Sequence, residues 1–230
     1  MAATSVLHYI YDPLCGWCYG AKPLIQAASQ VLPVALHGGG MMAGNNRQFV
    51  SSNLRDYVMP HDRRIAEYTG QPFGQGYFEG LLRDSSAIFD STPPTRAVLA
   101  AEQLQGRGLE MLGRQQTAHY VEGQRLADVE VLLALAAELG FEAQAFKAAF
   151  ERNSDAVAVE HFKQSRALLS RVGGQGFPTL ALEQEGRFSL IDIGPYLGKP
   201  DAFVAWLSQS LAPATPAATG PSCGLEGCSS

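Results

Sequence analysis

The sequence predicts an α/β protein: one mixed sheet flanked by helices, built from the two ends of the chain, with a long helical block between them. Three observations predict it. First, an apolar run, a helical pattern and a second apolar run follow one another over residues 5–38, the order of a βαβ unit with a parallel strand pair. Second, from about residue 45 to 172 the apolar spacing is helical, with no strand pattern. Third, two further apolar runs, 178–182 and 188–193, flank the turn Glu183-Gln184-Glu185-Gly186 and read as a hairpin, with a helix after it.

Taken in order, residues 5–11 alternate bulky and β-branched groups, as a strand does. A helix over 16–30 carries Pro23, which predicts a kink about one turn in. Residues 33–38 form the second strand, closed by Gly38-Gly39-Gly40. In the block, 46–58 and 60–69 are modest amphipathic helices. Residues 71–80, rich in glycine and aromatics, are irregular or weakly helical and suited to shaping a cleft. Pro93-Pro94 opens a helix over 94–106 behind a cap at Ser91 or Thr92. Helices follow over 109–121, from Asp128 as cap to Gly140, over 142–152 and over 154–171. The last helix covers 200–211. Residues 212–222 are a linker of Pro, Ala and Thr that leads to Cys223-x-x-x-x-Cys228.

The 230 residues are 46% hydrophobic and 17% charged, ordinary for a globular protein with a sizeable core. A net charge of −5 offers no footprint for nucleic acid or an anionic membrane surface, so neither is an expected partner. No apolar run approaches the roughly 20 residues that span a bilayer. Met1–Ser5 lack the basic and apolar regions of a secretory signal, so a cytoplasmic location is expected. Four cysteines are too few for a disulfide scaffold. In a reducing compartment a C-x-x-C points instead to catalysis or metal.

That C-x-x-C is Cys15-Gly16-Trp17-Cys18, where the first strand gives way to the first helix. The unpaired N–H groups of a helix's first turn point at the first sulfur, and the helix dipole favours negative charge there. Cys18, one turn on, is placed to close a disulfide with Cys15, the geometry of a redox dithiol. A zinc-binding module is the alternative, since Cys15, Cys18, Cys223 and Cys228 supply four thiolates at ligand-like spacing. The redox context of the first pair argues against it, and no metal is expected. The histidines at 8, 37, 61, 119 and 161 show no ligand spacing, and Asp12 reads as a turn or cap residue. Gly38-Gly39-Gly40 with Met41-Met42 reads equally as a groove beside the dithiol or as a plain strand exit.

The Cys15–Cys18 pair, together with Gly176-Phe177-Pro178-Thr179 opening the strand after the helical block, resembles the thioredoxin-fold DsbA family. That family carries its C-x-x-C on the first helix and a cis-proline facing it. The segment from Tyr11 to Gly20 looks most like the cytosolic FrnE-like branch, related to 2-hydroxychromene-2-carboxylate isomerases. The resemblance covers nearly the whole chain and implies a thioredoxin fold with a large all-helical insertion. Residues 1–42 and 174–211 would form the thioredoxin-fold domain, 43–173 the inserted helical domain and 212–230 a flexible tail. It implies a thiol–disulfide oxidoreductase with Cys15 as nucleophile and Cys18 as resolving thiol. Gly16 and Trp17 would tune the poise, and Phe177 with a cis Pro178 would pair with an extended substrate. No bound cofactor is implied; glutathione is an exchange partner, and protein or small-molecule thiols and disulfides are the substrates. Cys223 and Cys228 are similar to the C-terminal C-x4-C of some FrnE-like proteins and would be a second redox pair exchanging with the first. One departure is Tyr9, at the position where many thioredoxin-fold enzymes bury an acid. A glutathione-dependent isomerase or kappa-type transferase, which needs one thiol, is the other alternative. Retention of both cysteines argues for redox chemistry.

Overall fold

The computed structural model describes residues 5–211. β1 (Val6–Tyr11), α1 (Gly16–Ala28) and β2 (Val34–Gly38) form the expected βαβ unit, with β1 and β2 parallel and Leu7 opposite Val34. α1 is continuous through Pro23.

The segment after β2 is mostly but not wholly helical. β3 (Gln48–Phe49) and β4 (Ile88–Phe89) pair antiparallel on either side of α2 (Ser52–Thr69). Strands of two residues carry no readable alternation, which is why the sequence shows only helices here. α2 is one helix rather than two. Asp56 and Pro60 are both exposed, so the carbonyl that loses its partner to Pro60 faces water. Residues 76–80 form a π-helical turn and 81–83 a 3-10 turn.

Then come α3 (Thr92–Gln105), α4 (Gly108–Tyr120), α5 (Val129–Glu138), α6 (Ala143–Arg152) and α7 (Asp155–Arg171). Ser91 and Asp128 sit at the N-cap positions of α3 and α5, but neither side chain makes the cap bond. Glu142 does cap α6, accepting from the N–H groups of Gln144 and Ala145.

β5 (Thr179–Gln184) and β6 (Arg187–Ile191) make the hairpin. Its turn is only Glu185-Gly186, with φ of 52° and 75°, the pattern of a tight two-residue connection. β5 pairs antiparallel with β1, giving a four-stranded sheet in the order β2-β1-β5-β6. α8 (Pro200–Leu211) packs against α1, and Leu24, Ile25, Phe203 and Leu207 are buried with Leu7, Tyr9 and Tyr11 of β1. The chain thus leaves the sheet after β2 and returns at β5, so both ends of the helical segment abut the first turn of α1.

Candidate active site

The site begins where β1 ends. Asp12 turns the chain, and its carboxylate accepts from Leu14 N–H at 2.9 Å, Met41 N–H at 2.6 Å and the Ser91 hydroxyl at 2.8 Å. It therefore ties the β1–α1 connection to the exit of β2 and to the start of α3, a larger role than the turn residue the sequence suggests. Burial pushes its carboxyl up to about 6, against the pull of these bonds and of the Arg166 charge.

Cys15 occupies the N-cap of α1 with extended backbone (φ −93°, ψ 115°). No side-chain oxygen caps this helix, and its first turn holds no acidic residue. Its first-turn N–H groups are thus free of side-chain acceptors, at the helix end where the dipole favours a thiolate at Cys15. Cys15 is 6% exposed and Cys18 is fully buried. Both are free thiols. Burial pushes the Cys18 thiol well up, and the neighbouring Cys15 thiol adds to the rise. Cys18 is held as a thiol while Cys15 lines a cavity.

Facing the dithiol, the Phe177–Pro178 peptide is cis, and the Phe177 carbonyl accepts from the Cys15 thiol at 3.4 Å. The Phe177 ring rests on Gly39, where a Cβ would lie 2.1 Å from two ring carbons. α7 holds this platform from the other side. Arg166 donates to the carbonyls of Gly39 (2.7 Å) and Gly40 (2.6 Å), and Gly38 N–H donates to His161 Nε2 (2.9 Å). The glycine run is therefore a support under Phe177, while Met41 and Met42 line the groove.

That groove is a cavity of about 270 Å³ beside Cys15, walled by Trp17, Met41, Met42, Leu54 and Ile65 among others. Gly16 and Trp17 are on its wall, and Phe177 and Pro178 are not. Among the described residues no lysine or arginine lines it; its ionisable side chains beside Cys15 are His61, Asp62 and tyrosines. Asp62, on α2, accepts from the Tyr77 hydroxyl at 2.8 Å through Oδ2. Its Oδ1 abuts Gly16, where a Cβ would come within 2.6 Å of it. Burial pushes the Asp62 carboxyl up to about 7, with the Tyr77 bond and the His61 charge pulling the other way. Sequence reasoning missed Asp62. The available signal was an acid in the stripe Leu54, Val58, Asp62, Ile65, Thr69, whose spacing is that of one helix face.

No protein-family model and no curated protein sequence matches the chain. Solved structures do. The cytosolic disulfide reductase DsbM from Pseudomonas aeruginosa matches with a TM-score of 0.85 at 58% identity, over 90% of this chain and 98% of that one. This chain belongs to the DsbA family, in its FrnE-like branch. It is a thiol–disulfide oxidoreductase with a thioredoxin fold, as the resemblance in its sequence implied. DsbM from the same organism with GSH matches at 56% identity and a TM-score of 0.83, with coverage of 90% and 98%. A putative protein disulfide isomerase from Nitrosomonas europaea matches at 27% and 0.73, over 90% of this chain and 97% of that one.

Within this DsbA-family fold, Tyr9 donates from its hydroxyl to the Cys18 carbonyl at 3.2 Å and braces the first turn of α1. His8 and His37 meet at 2.9 Å, and His8 reaches Glu183 at 2.8 Å. This cluster joins β1, β2 and β5 and has no signature in the sequence. Among the described residues no three His, Cys, Asp or Glu side chains are placed to hold a metal. Cys223 and Cys228 lie outside the described residues. Among those residues no helix is long and apolar enough to cross a membrane.

Proposed function

We propose that this oxidoreductase works as a cytoplasmic disulfide reductase, with Cys15 as nucleophile and Cys18 as resolving thiol. The observation that carries the assignment is the placement of Cys15 at the uncapped N-terminus of α1, on the wall of a cavity, with Cys18 buried behind it. The Cys15 thiolate attacks a substrate disulfide, and Cys18 then displaces the substrate from the mixed disulfide. Glutathione is the thiol that returns the pair to its reduced form. The reductive direction and the use of glutathione are supported by the likeness to DsbM and its GSH complex.

Gly16 and Trp17 contribute the cavity wall to substrate binding, and the Phe177–Pro178 segment contributes the carbonyl nearest Cys15. Residues 1–42 and 174–211 act as the domain that carries the dithiol, and 43–173 as the domain that supplies most of the cavity. Cys223 and Cys228 serve as a second pair exchanging with Cys15–Cys18.

The test is reduction of a disulfide substrate with glutathione as electron source. Cys15→Ser abolishes turnover. Cys18→Ser stops after one exchange and accumulates a mixed disulfide, visible by mass spectrometry. A Cys18→Ser protein with full turnover would reverse the assignment in favour of a one-thiol, glutathione-dependent isomerase or transferase. For the tail, a Cys223→Ser/Cys228→Ser protein shows an altered reduction potential; an unchanged potential removes the tail from the mechanism.

A further inference from the structure

This inference rests on the reductase reading above. Two buried carboxyls lie close to the dithiol, and they differ in one respect. Both oxygens of Asp12 are engaged, by Leu14, Met41 and Ser91. Asp62 commits only Oδ2, to the Tyr77 hydroxyl. Its Oδ1 accepts no hydrogen bond among the described residues and lies against Gly16, next in sequence to Cys15. Asp62 and Cys15 line one cavity.

The groups that face Asp62 are few. α2 itself offers Tyr57, which lines the same cavity, and His61, whose Nδ1 is taken by the Tyr57 carbonyl at 2.7 Å. The turn at 76–80 offers Tyr77, α4 offers Tyr120 and α1 offers Cys15. Among the described residues no lysine or arginine lines the cavity to hold Asp62 permanently ionised. A carboxyl pushed up to about 7 by burial has both its forms available at neutral pH, the condition for moving protons there.

We propose that Asp62 is the acid–base group of thiol exchange at Cys15, giving a proton to the sulfur that leaves through the cavity and taking one from the thiol that enters. In the first step the Cys15 thiolate forms a bond to one sulfur of a substrate disulfide. The substrate S–S bond breaks, and the second sulfur leaves as a thiol with the Asp62 proton. Cys18 then bonds to Cys15, the mixed disulfide breaks, and the Cys18 proton leaves with the remaining substrate thiol. Two electrons have passed to the substrate. A low-molecular-weight thiol next opens the Cys15–Cys18 disulfide, forming a mixed disulfide at Cys15 and passing its proton to Cys18. A second such thiol attacks that mixed disulfide, releases Cys15 as a thiolate and leaves its proton on Asp62. The cycle closes with the small thiol oxidised to its disulfide.

The experiment compares Asp62→Asn with the natural protein, full chain and pre-reduced, in single-turnover stopped flow. Two probes are used: bis(2-hydroxyethyl) disulfide, whose alkyl thiolate leaves poorly, and 5,5′-dithiobis(2-nitrobenzoate), whose aryl thiolate leaves well without a proton. General acid help matters most for the poor leaving group. The loss on the alkyl probe should therefore exceed that on the aryl probe by about tenfold or more at pH 7. The alkyl rate of the natural protein should also fall as pH rises through 7, and this limb should vanish in Asp62→Asn. Equal losses on both probes, or none, would overturn the proposal. Should Asp62→Asn fold poorly, Tyr77→Phe serves instead. It removes the donor that lowers the Asp62 carboxyl, so the limb should move to higher pH; an unmoved limb overturns the proposal. A natural protein that reduces neither probe, and is indistinguishable from Cys15→Ser, overturns the reductase reading itself. A protein that reduces both with Asp62→Asn unaltered overturns only the role of Asp62.

Discussion

Replacing Gly39 with alanine should cost both stability and activity, through one steric contact. The added Cβ would lie 2.1 Å from Cε1 and Cζ of Phe177 and 3.2 Å from Cε2. Carbon atoms rest at about 3.5–4.0 Å, so the ring must retreat by roughly 1.4 Å or more. Gly39 does not occupy the left-handed region, so alanine fits the backbone there and the whole effect is the clash. Overpacking of this kind costs about 1–3 kcal/mol. For a protein of this size each kcal/mol lowers Tm by about 2–4 °C, so a fall of roughly 2–12 °C is expected. A ring pushed back from Gly39 pulls on the backbone that carries it, and the Phe177 carbonyl lies 3.4 Å from the Cys15 sulfur. Misplacement by about 1 Å near reacting atoms costs on the order of 100-fold in rate, so single-turnover disulfide reduction should slow by about 10- to 100-fold. Thermal unfolding followed by circular dichroism reads the first effect, and stopped-flow reduction the second. A Gly39→Ala protein with the natural Tm and rate would refute the reasoning. Trimming the ring as well, in Gly39→Ala/Phe177→Leu, should recover most of the Tm.

Two further predictions concern pH. The Asp62 carboxyl is raised from 3.8 to about 7 in the fold, so the folded state favours its protonated form, and the stability this contributes is lost as pH rises through 7. About 3 units at 1.36 kcal/mol each is about 4 kcal/mol as an upper figure. Asn keeps an acceptor for Tyr77, so in urea unfolding Asp62→Asn should be the more stable protein at pH 8 and match the natural one near pH 4. A gain that does not shrink with falling pH would contradict the burial argument. His119 is the opposite case. It is fully buried among Tyr77, Phe89 and Tyr120, and burial pushes its ring down from 6.5 to about 3. The folded state favours the neutral ring, so this contribution is complete above 6.5 and is lost as pH falls toward 3. By pH 5 the loss is about 2 kcal/mol, from roughly 1.5 units. His119→Phe removes the titrating ring, so its stability relative to the natural protein should rise by about that amount between pH 7 and pH 5; equal slopes for the two proteins would rule this out.

Much of the molecule was legible before its structure. β1, β2, β5 and β6 announce themselves by short apolar runs bounded by glycine and proline, and the helices by apolar spacing, because both are local consequences of side-chain periodicity. β3 and β4 are too short to carry a period, and Pro60 suggested a break that an exposed carbonyl tolerates. The site divides in the same way. Cys15 and Cys18 are legible because the chemistry of a dithiol at a helix N-terminus depends on four consecutive residues. Its surroundings are not. The Phe177 carbonyl is 162 residues from Cys15 in sequence, and Arg166 is 127 from the carbonyl of Gly39 that it holds.

The sequence by itself determined the class of fold, the dithiol and its family, since each rests on neighbours along the chain. Only the tertiary structure decided that Asp12 is locked by three donors while Asp62, on the cavity wall, keeps against Gly16 an oxygen that accepts no hydrogen bond among the described residues. It also decided that Gly16 and Gly39 are glycines because a carboxyl and a ring press against them. Such facts depend on which helix faces which, and that is set by how the whole core packs, not by any spacing within one element.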